Sequence, residues 1–158
     1  MGTLPSVVRT RRAGFTLVEL VIVMAVVSIL LSVVMKSTSG MMTEGNLSKI
    51  EGELVTLKSA LTSYWKNNAS SYPPDIHASL IGASPPIIPG KLQDPFLTDS
   101  ANLTYGYLTG SDAVFGNYFI IYSRGPRADT TPSWDSTNQR VIYSGSGRVE
   151  SNAPVAKN

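Results

Sequence analysis

The chain has 158 residues, 42% of them hydrophobic and 15% charged, with no cysteine and a formal net charge of +2. That length supports one small domain beside a membrane-type segment, and the lack of thiols excludes a disulfide framework and a thiolate metal site. The positive charge misleads: Arg9, Arg11 and Arg12 stand in an N-terminal stretch without an acid, and apart from them ten basic residues face eleven acidic ones, so the remainder offers no electrostatic funnel for nucleic acid.

From Phe15 to Met35 the sequence is apolar except for Thr16, Glu19, Ser28 and Ser32, and about 20 such residues cross a bilayer as a helix. The arginines before this run outweigh Lys36 behind it, so the positive-inside rule keeps the N-terminus cytoplasmic and puts the rest outside. An ordinary secretory signal has an apolar core of about 7–15 residues followed by an A-x-A-like cleavage site, and neither feature is present. Thr10-Arg11-Arg12 has the paired arginines of a twin-arginine signal but not its cleavage site. A charge at the centre of a membrane helix costs about 2.5–3.5 kcal/mol. Glu19 lies nearer one end, yet a lone carboxylate adds cost without packing benefit and calls for a partner or a function.

The stretch Arg11-Arg12-Ala13-Gly14-Phe15-Thr16-Leu17-Val18-Glu19 resembles the type III signal of type IV prepilins and type II secretion pseudopilins. The resemblance implies that residues 1–14 are a leader, that a prepilin peptidase and methyltransferase cuts between Gly14 and Phe15, and that Phe15 becomes the methylated terminus. It implies that Glu19 faces the N-terminal amine of a neighbouring subunit during assembly. It further implies a homo-oligomeric helical filament, an assembly ATPase and inner-membrane platform as partners, residence in the membrane before assembly, and a structural rather than enzymatic role. Many family members carry Pro about where Lys36 stands and Gly about where Ser28 stands. This sequence has neither, so local melting of the helix on assembly does not carry over.

Beyond the apolar run of residues 15–35, Leu47, Ile50, Leu54, Leu57, Leu61 and Tyr64 recur at spacings of three and four, the stripe of an amphipathic helix over residues 36–68. Ser37-Thr38-Ser39-Gly40 and Gly45 are weak helix formers and mark a candidate hinge. Asn67 through Pro74 ends the helix. A proline-rich connection over residues 69–102 follows, with one short helix near Ile76–Ile81. Within residues 103–158, Leu103–Leu108, Asn117–Ser123 and Arg140–Ser144 read as strands of one small antiparallel sheet. That sheet would cover the helix stripe in a two-layer core. The whole is an α+β fold with a long N-terminal helix.

The order Ala60 to Tyr64, Tyr72-Pro73, Leu92 to Phe96, Tyr105-Gly106-Tyr107 and Tyr118 through Gly125 is similar to the major pseudopilin of type II secretion. The resemblance implies a pilin-like fold, a role in protein export, and a calcium ion held by oxygens in the loop between the last strands. Here that loop is Arg124–Gln139, with Asp129 and Asp135 as candidate ligands and Asp112 as an outside contributor; a solvated turn-rich loop is the plainer alternative. A type IV pilin of adhesion, motility or DNA uptake shares every N-terminal residue, and a monomeric membrane-anchored periplasmic domain is the third reading. The only histidine, His77, lacks the partners of a catalytic or metal site. Gly145-Ser146-Gly147-Arg148 lacks the G-K-[ST] ending of a phosphate loop and reads as a turn. The aromatic residues read as core, apart from Trp134, which stands in a polar stretch.

Overall fold

The structure is a computed structural model that describes residues 15–98 and 104–158. Helix α1 (Leu17–Asn67) opens the chain and passes through Ser37–Gly40 and Gly45 without a break, although each glycine costs a helix interior about 1 kcal/mol relative to alanine. The chain divides into two compact units after Gly40. In the first, every large apolar side chain from Phe15 to Met35 is between 44% and 81% exposed. A helix that is apolar on all sides has no inside face to present.

The second unit holds the folded domain. Its part of α1 buries Ile50, Leu54, Leu57 and Leu61, interior positions of the sequence stripe, together with Ala60 beside them, while Tyr64 packs at the margin. The helix ends where Asn68 and Ser70 both donate their backbone N–H to the Trp65 carbonyl, with Ala69 and Ser70 in the left-handed conformation that usually falls to glycine at this position. Helix α2 (Ile76–Ile81) follows, its first turn capped by the Asp75 carboxylate, which accepts from the Ala78 N–H.

Six strands complete the domain: β1 (Gly106–Asp112), β2 (Gly116–Tyr122), β3 (Thr131–Asp135), β4 (Arg140–Ser144), β5 (Val149–Ser151) and β6 (Val155–Lys157). The single antiparallel sheet expected from sequence is two sheets of three strands, ordered β1-β2-β5 and β3-β4-β6. The second sheet contains a parallel pair, β4 with β6. Of the expected strand Leu103–Leu108, Leu103 lies outside the described residues and the regular pairing starts at Gly106.

Strand β2 explains the departure from a two-layer core. Its consecutive residues Phe119, Ile120 and Ile121 are all buried, whereas a strand with one wet face buries every second residue. Phe119 and Ile121 join Tyr105, Tyr107 and the α1 stripe in one core, while Ile120 joins Val141, Val149, Trp134 and Tyr143 in another. The first sheet is thus a middle layer between α1 and the second sheet. On its second face Tyr122 and Tyr118 pair across from Gly106 and Gly110, and each ring occupies the place a β-carbon on the glycine would need. The helix is tied on by Lys58 to Glu150 at 2.8 Å and Arg148 to Glu51 at 2.6 Å. The Tyr105 hydroxyl donates to Glu53 at 2.6 Å, and the Tyr107 hydroxyl donates to the Pro73 carbonyl at 2.9 Å. Burial, and then Glu53, push the Tyr105 phenol far above its usual range, so it stays a donor at any ordinary pH.

Candidate functional site

The start of α1 is built by three hydrogen bonds between Thr16 and Glu19. The Glu19 N–H donates to Thr16 Oγ1 at 3.2 Å, and the Thr16 N–H and hydroxyl donate back to Glu19 Oε2 at 3.5 and 3.4 Å. Thr16 is the residue before the first helical one and Glu19 the third within the helix, which is the reciprocal arrangement of a capping box. The acid also lies in the first turn, where the helix dipole favours negative charge. Glu19 therefore has a local structural role that the sequence reading did not give it. The signal was there to be read, since T-x-x-E directly before an apolar run is the capping-box signature.

Around this box lies the exposed apolar surface of Phe15 to Met35. Within it, Ser28 and Ser32 turn their hydroxyls back onto the Met24 and Ile29 carbonyls at 2.7 Å, so neither leaves an unpaired donor in the run. The helix is long and apolar enough to cross a membrane. Phe15 is 81% exposed, and Gly14, the other side of the expected cut, lies outside the described residues.

A family model described as the prokaryotic N-terminal methylation motif matches residues 9–35. That motif is the prepilin-type N-terminal segment of type IV pilin-like proteins, and over residues 9–35 the chain is similar to them. No curated protein and no solved structure matches it. The matched motif implies processing by a prepilin peptidase and filament assembly in general. The long helix followed by small sheets is an α+β arrangement consistent with a pilin-like fold.

In the folded unit, the three aspartates singled out for calcium each accept hydrogen bonds from their own surroundings. Asp112 accepts from the Val114 and Phe115 N–H groups and from the Trp134 indole at 3.1 Å. Asp129 Oδ1 accepts from the Ser146 N–H at 2.8 Å and its hydroxyl at 2.6 Å. Asp135 accepts from Thr137 and Asn138 and lies 3.5 Å from Arg140. These donors hold all three carboxyls below the usual carboxylate range: backbone donors first at Asp112, Ser146 first at Asp129, Asn138 first at Asp135. Among the described residues no three of His, Cys, Asp and Glu gather as a metal site.

Arg124–Gln139 is not one loop either, because β3 occupies its middle. The remaining turn closes on Gly145–Arg148: the Gly147 N–H donates to Thr130 Oγ1 at 2.7 Å, and Ser123 donates to the Arg148 carbonyl at 2.9 Å. Asp94, buried and overlooked in the sequence, bridges this turn to the proline-rich connection by accepting from the Phe96 and Arg124 N–H groups. Trp134 finds its place in the second core, stacked on Tyr118 at 4.2 Å with Phe115 at 5.2 Å. His77 is half-buried, with its Nε2 enclosed and without a hydrogen-bond partner. Burial, and to a lesser degree Lys91, lower its pKa against the opposing pull of the Leu92 backbone and Asp75.

Proposed function

We propose that this pilin-like chain is a structural subunit of a type II secretion pseudopilus, acting in protein export. In this reading a prepilin peptidase removes residues 1–14 and methylates Phe15. The chain waits in the inner membrane with its N-terminus cytoplasmic and its folded domain periplasmic, and an ATPase-driven platform moves it into a filament. The observation that carries the proposal is the methylation motif over residues 9–35, set on a helical stretch, up to Met35, whose large apolar side chains are exposed in the single chain. Withdrawn from lipid, that surface needs other copies of itself, and head-to-tail contacts that do not close give a filament. Glu19 is the assembly carboxylate, neutralised by the Phe15 amine of the next subunit. The absence of cysteine favours a pseudopilin over the many pilins that staple their C-terminal region.

Intact mass of the membrane-extracted protein tests the first step. Loss of residues 1–14 with one added methyl group at Phe15 is expected, and an unprocessed chain, or a cut after Ser39, overturns it. One observation favours the rival monomeric anchor: the capping box gives Glu19 employment without any neighbour. Long extracellular fibres under native expression would instead indicate a pilus.

A further inference from the structure

Beside the C-terminal end of α1 lies a cleft of about 430 Å³, within the 300–1,000 Å³ range of small-molecule sites. Its walls come from three places in the folded unit: Trp65 from the helix, Ser70 and Tyr72 from the turn that follows, and Phe115 and Asn117 from the β1–β2 hairpin. Other rings brace the aromatic walls from behind. Tyr72 stacks on Trp65 with centroids 6.4 Å apart and meets Phe119 edge-on at 4.9 Å, while Phe115 leans on Trp134. In the turn wall, Ser70 has the left-handed backbone that ends α1.

The polar groups divide into spent and unspent. Asn152, at the far rim, is spent: its Oδ1 accepts from the Phe119 N–H and its Nδ2 donates to the Asn117 carbonyl. Asn117 uses its Nδ2 on the Ser70 carbonyl at 3.1 Å, which fixes the amide and leaves its Oδ1 open. No hydrogen bond among the described residues engages the Trp65 indole N–H or the Ser70 hydroxyl. No lining residue carries a formal charge. A phosphate, a carboxylate or an ammonium would therefore lose its hydration without gaining a counter-charge. A purely aromatic guest would cover the open amide oxygen and hydroxyl and leave them unpaired.

We infer that this cleft binds a neutral saccharide. A pyranose ring has an apolar C–H face to lay on the Trp65 indole and a rim of hydroxyls. Those hydroxyls can donate to Asn117 Oδ1, exchange hydrogen bonds with Ser70 Oγ, and accept from Trp65 Nε1–H. The inference is independent of filament assembly, because every group it uses belongs to the folded unit of one chain.

The test is an NMR titration of the full-length, isotope-labelled protein in a detergent without a sugar headgroup. The probes are glucose, N-acetylglucosamine and their β-linked disaccharides. Saturable shifts of the Trp65 indole N–H and the Asn117 side-chain amide are expected while the Trp134 indole stays in place. Trp65→Ala and Asn117→Ala should each weaken binding at least about tenfold, or about 1.4 kcal/mol. Melting curves check folding, and Asn117, exposed at the rim, gives a variant that spares the core. Three results overturn the inference: no saturable shift at the highest soluble sugar concentration, equal binding by both folded variants, or shifts caused by indole or phenol and by none of the sugars.

Discussion

Between Leu17 and Met35, α1 is apolar on every side and exposes what it carries; between Ile50 and Tyr64 the same helix confines its apolar residues to one stripe and buries them. Both stretches obey the same hydrophobic effect, roughly 25 cal/mol per Å² of apolar surface removed from water. Only the second finds its cover within the chain. A helix that is apolar all round is completed by its surroundings, first lipid and then, in the proposed filament, other copies. Side chains in the first stretch should therefore matter to assembly and not to the stability of one chain, with the reverse true of the second.

Four measurements can break or sharpen that division. The largest effect is expected at Glu19, where Glu19→Val would remove two roles at once. Glu19→Gln separates them, because glutamine also serves in a capping box but cannot neutralise a neighbour's amine. The Gln variant should insert, be cut after Gly14 and keep its helix, yet fail to form filaments as the sole subunit, since removing one partner of a buried pair costs about 3–5 kcal/mol. Equal filament yield, read by crosslinking of adjacent helices, would leave the carboxylate with its capping role alone. Next comes a pair of core-type substitutions in the two stretches. Leu61→Ala should lower unfolding free energy by about 2–5 kcal/mol, whereas Leu30→Ala in detergent should stay within about 0.5 kcal/mol of the parent. Similar losses at both positions would refute the division.

The third effect is smaller and depends on pH. His77 has a folded-state pKa below its ordinary 6.5, so the unfolded chain takes up a proton more readily than the folded one. Stability is then full above about 6.5 and declines as pH falls through the lower folded value. His77→Phe should flatten that part of a melting-temperature profile. The lowered carboxyls of Asp112, Asp129 and Asp135 act in a separate window: their contribution is present above the ordinary value of 3.8 and is lost only as pH drops below it. A single transition shared by parent and His77→Phe would count against the histidine. The smallest expected effect is that of calcium. With the three aspartates already occupied by protein donors, neither chelator nor excess calcium should move the melting temperature of the full chain; a clear upward shift with calcium would show a site made largely from backbone oxygens.

How much of this could be read from the residues varies with the length of the pattern. The stripe from Ile50 to Leu61 repeats over several turns, and the apolar run before it is longer still, so both were plain. So was α2, set off by Pro73, Pro74 and Asp75. Strands β2 and β4 were found because Phe, Tyr, Ile and Val cluster there. β3 escaped because Pro132 argues against a strand; it is tolerated because β3 is an edge strand of its sheet. β5 and β6 have three residues each, too few for a period, and they gain their place from long-range pairing. The doubly buried character of β2 was written in the run Phe119-Ile120-Ile121. Reading it as a one-faced strand led to one sheet where there are two. The cleft beside Trp65 combines residues from position 62 to 152, and no local motif could have joined them.

The tyrosines lying over Gly106 and Gly110 restrict how this chain can diverge. At either glycine even the smallest added side chain meets a ring rather than open space, so change at 106 must await a smaller residue at 122, and change at 110 a smaller one at 118. Either partner altered alone leaves a clash or a void. Among variants that still fold, these positions should travel as pairs, and a library randomised at all four should return Gly with Tyr together far more often than their separate frequencies predict.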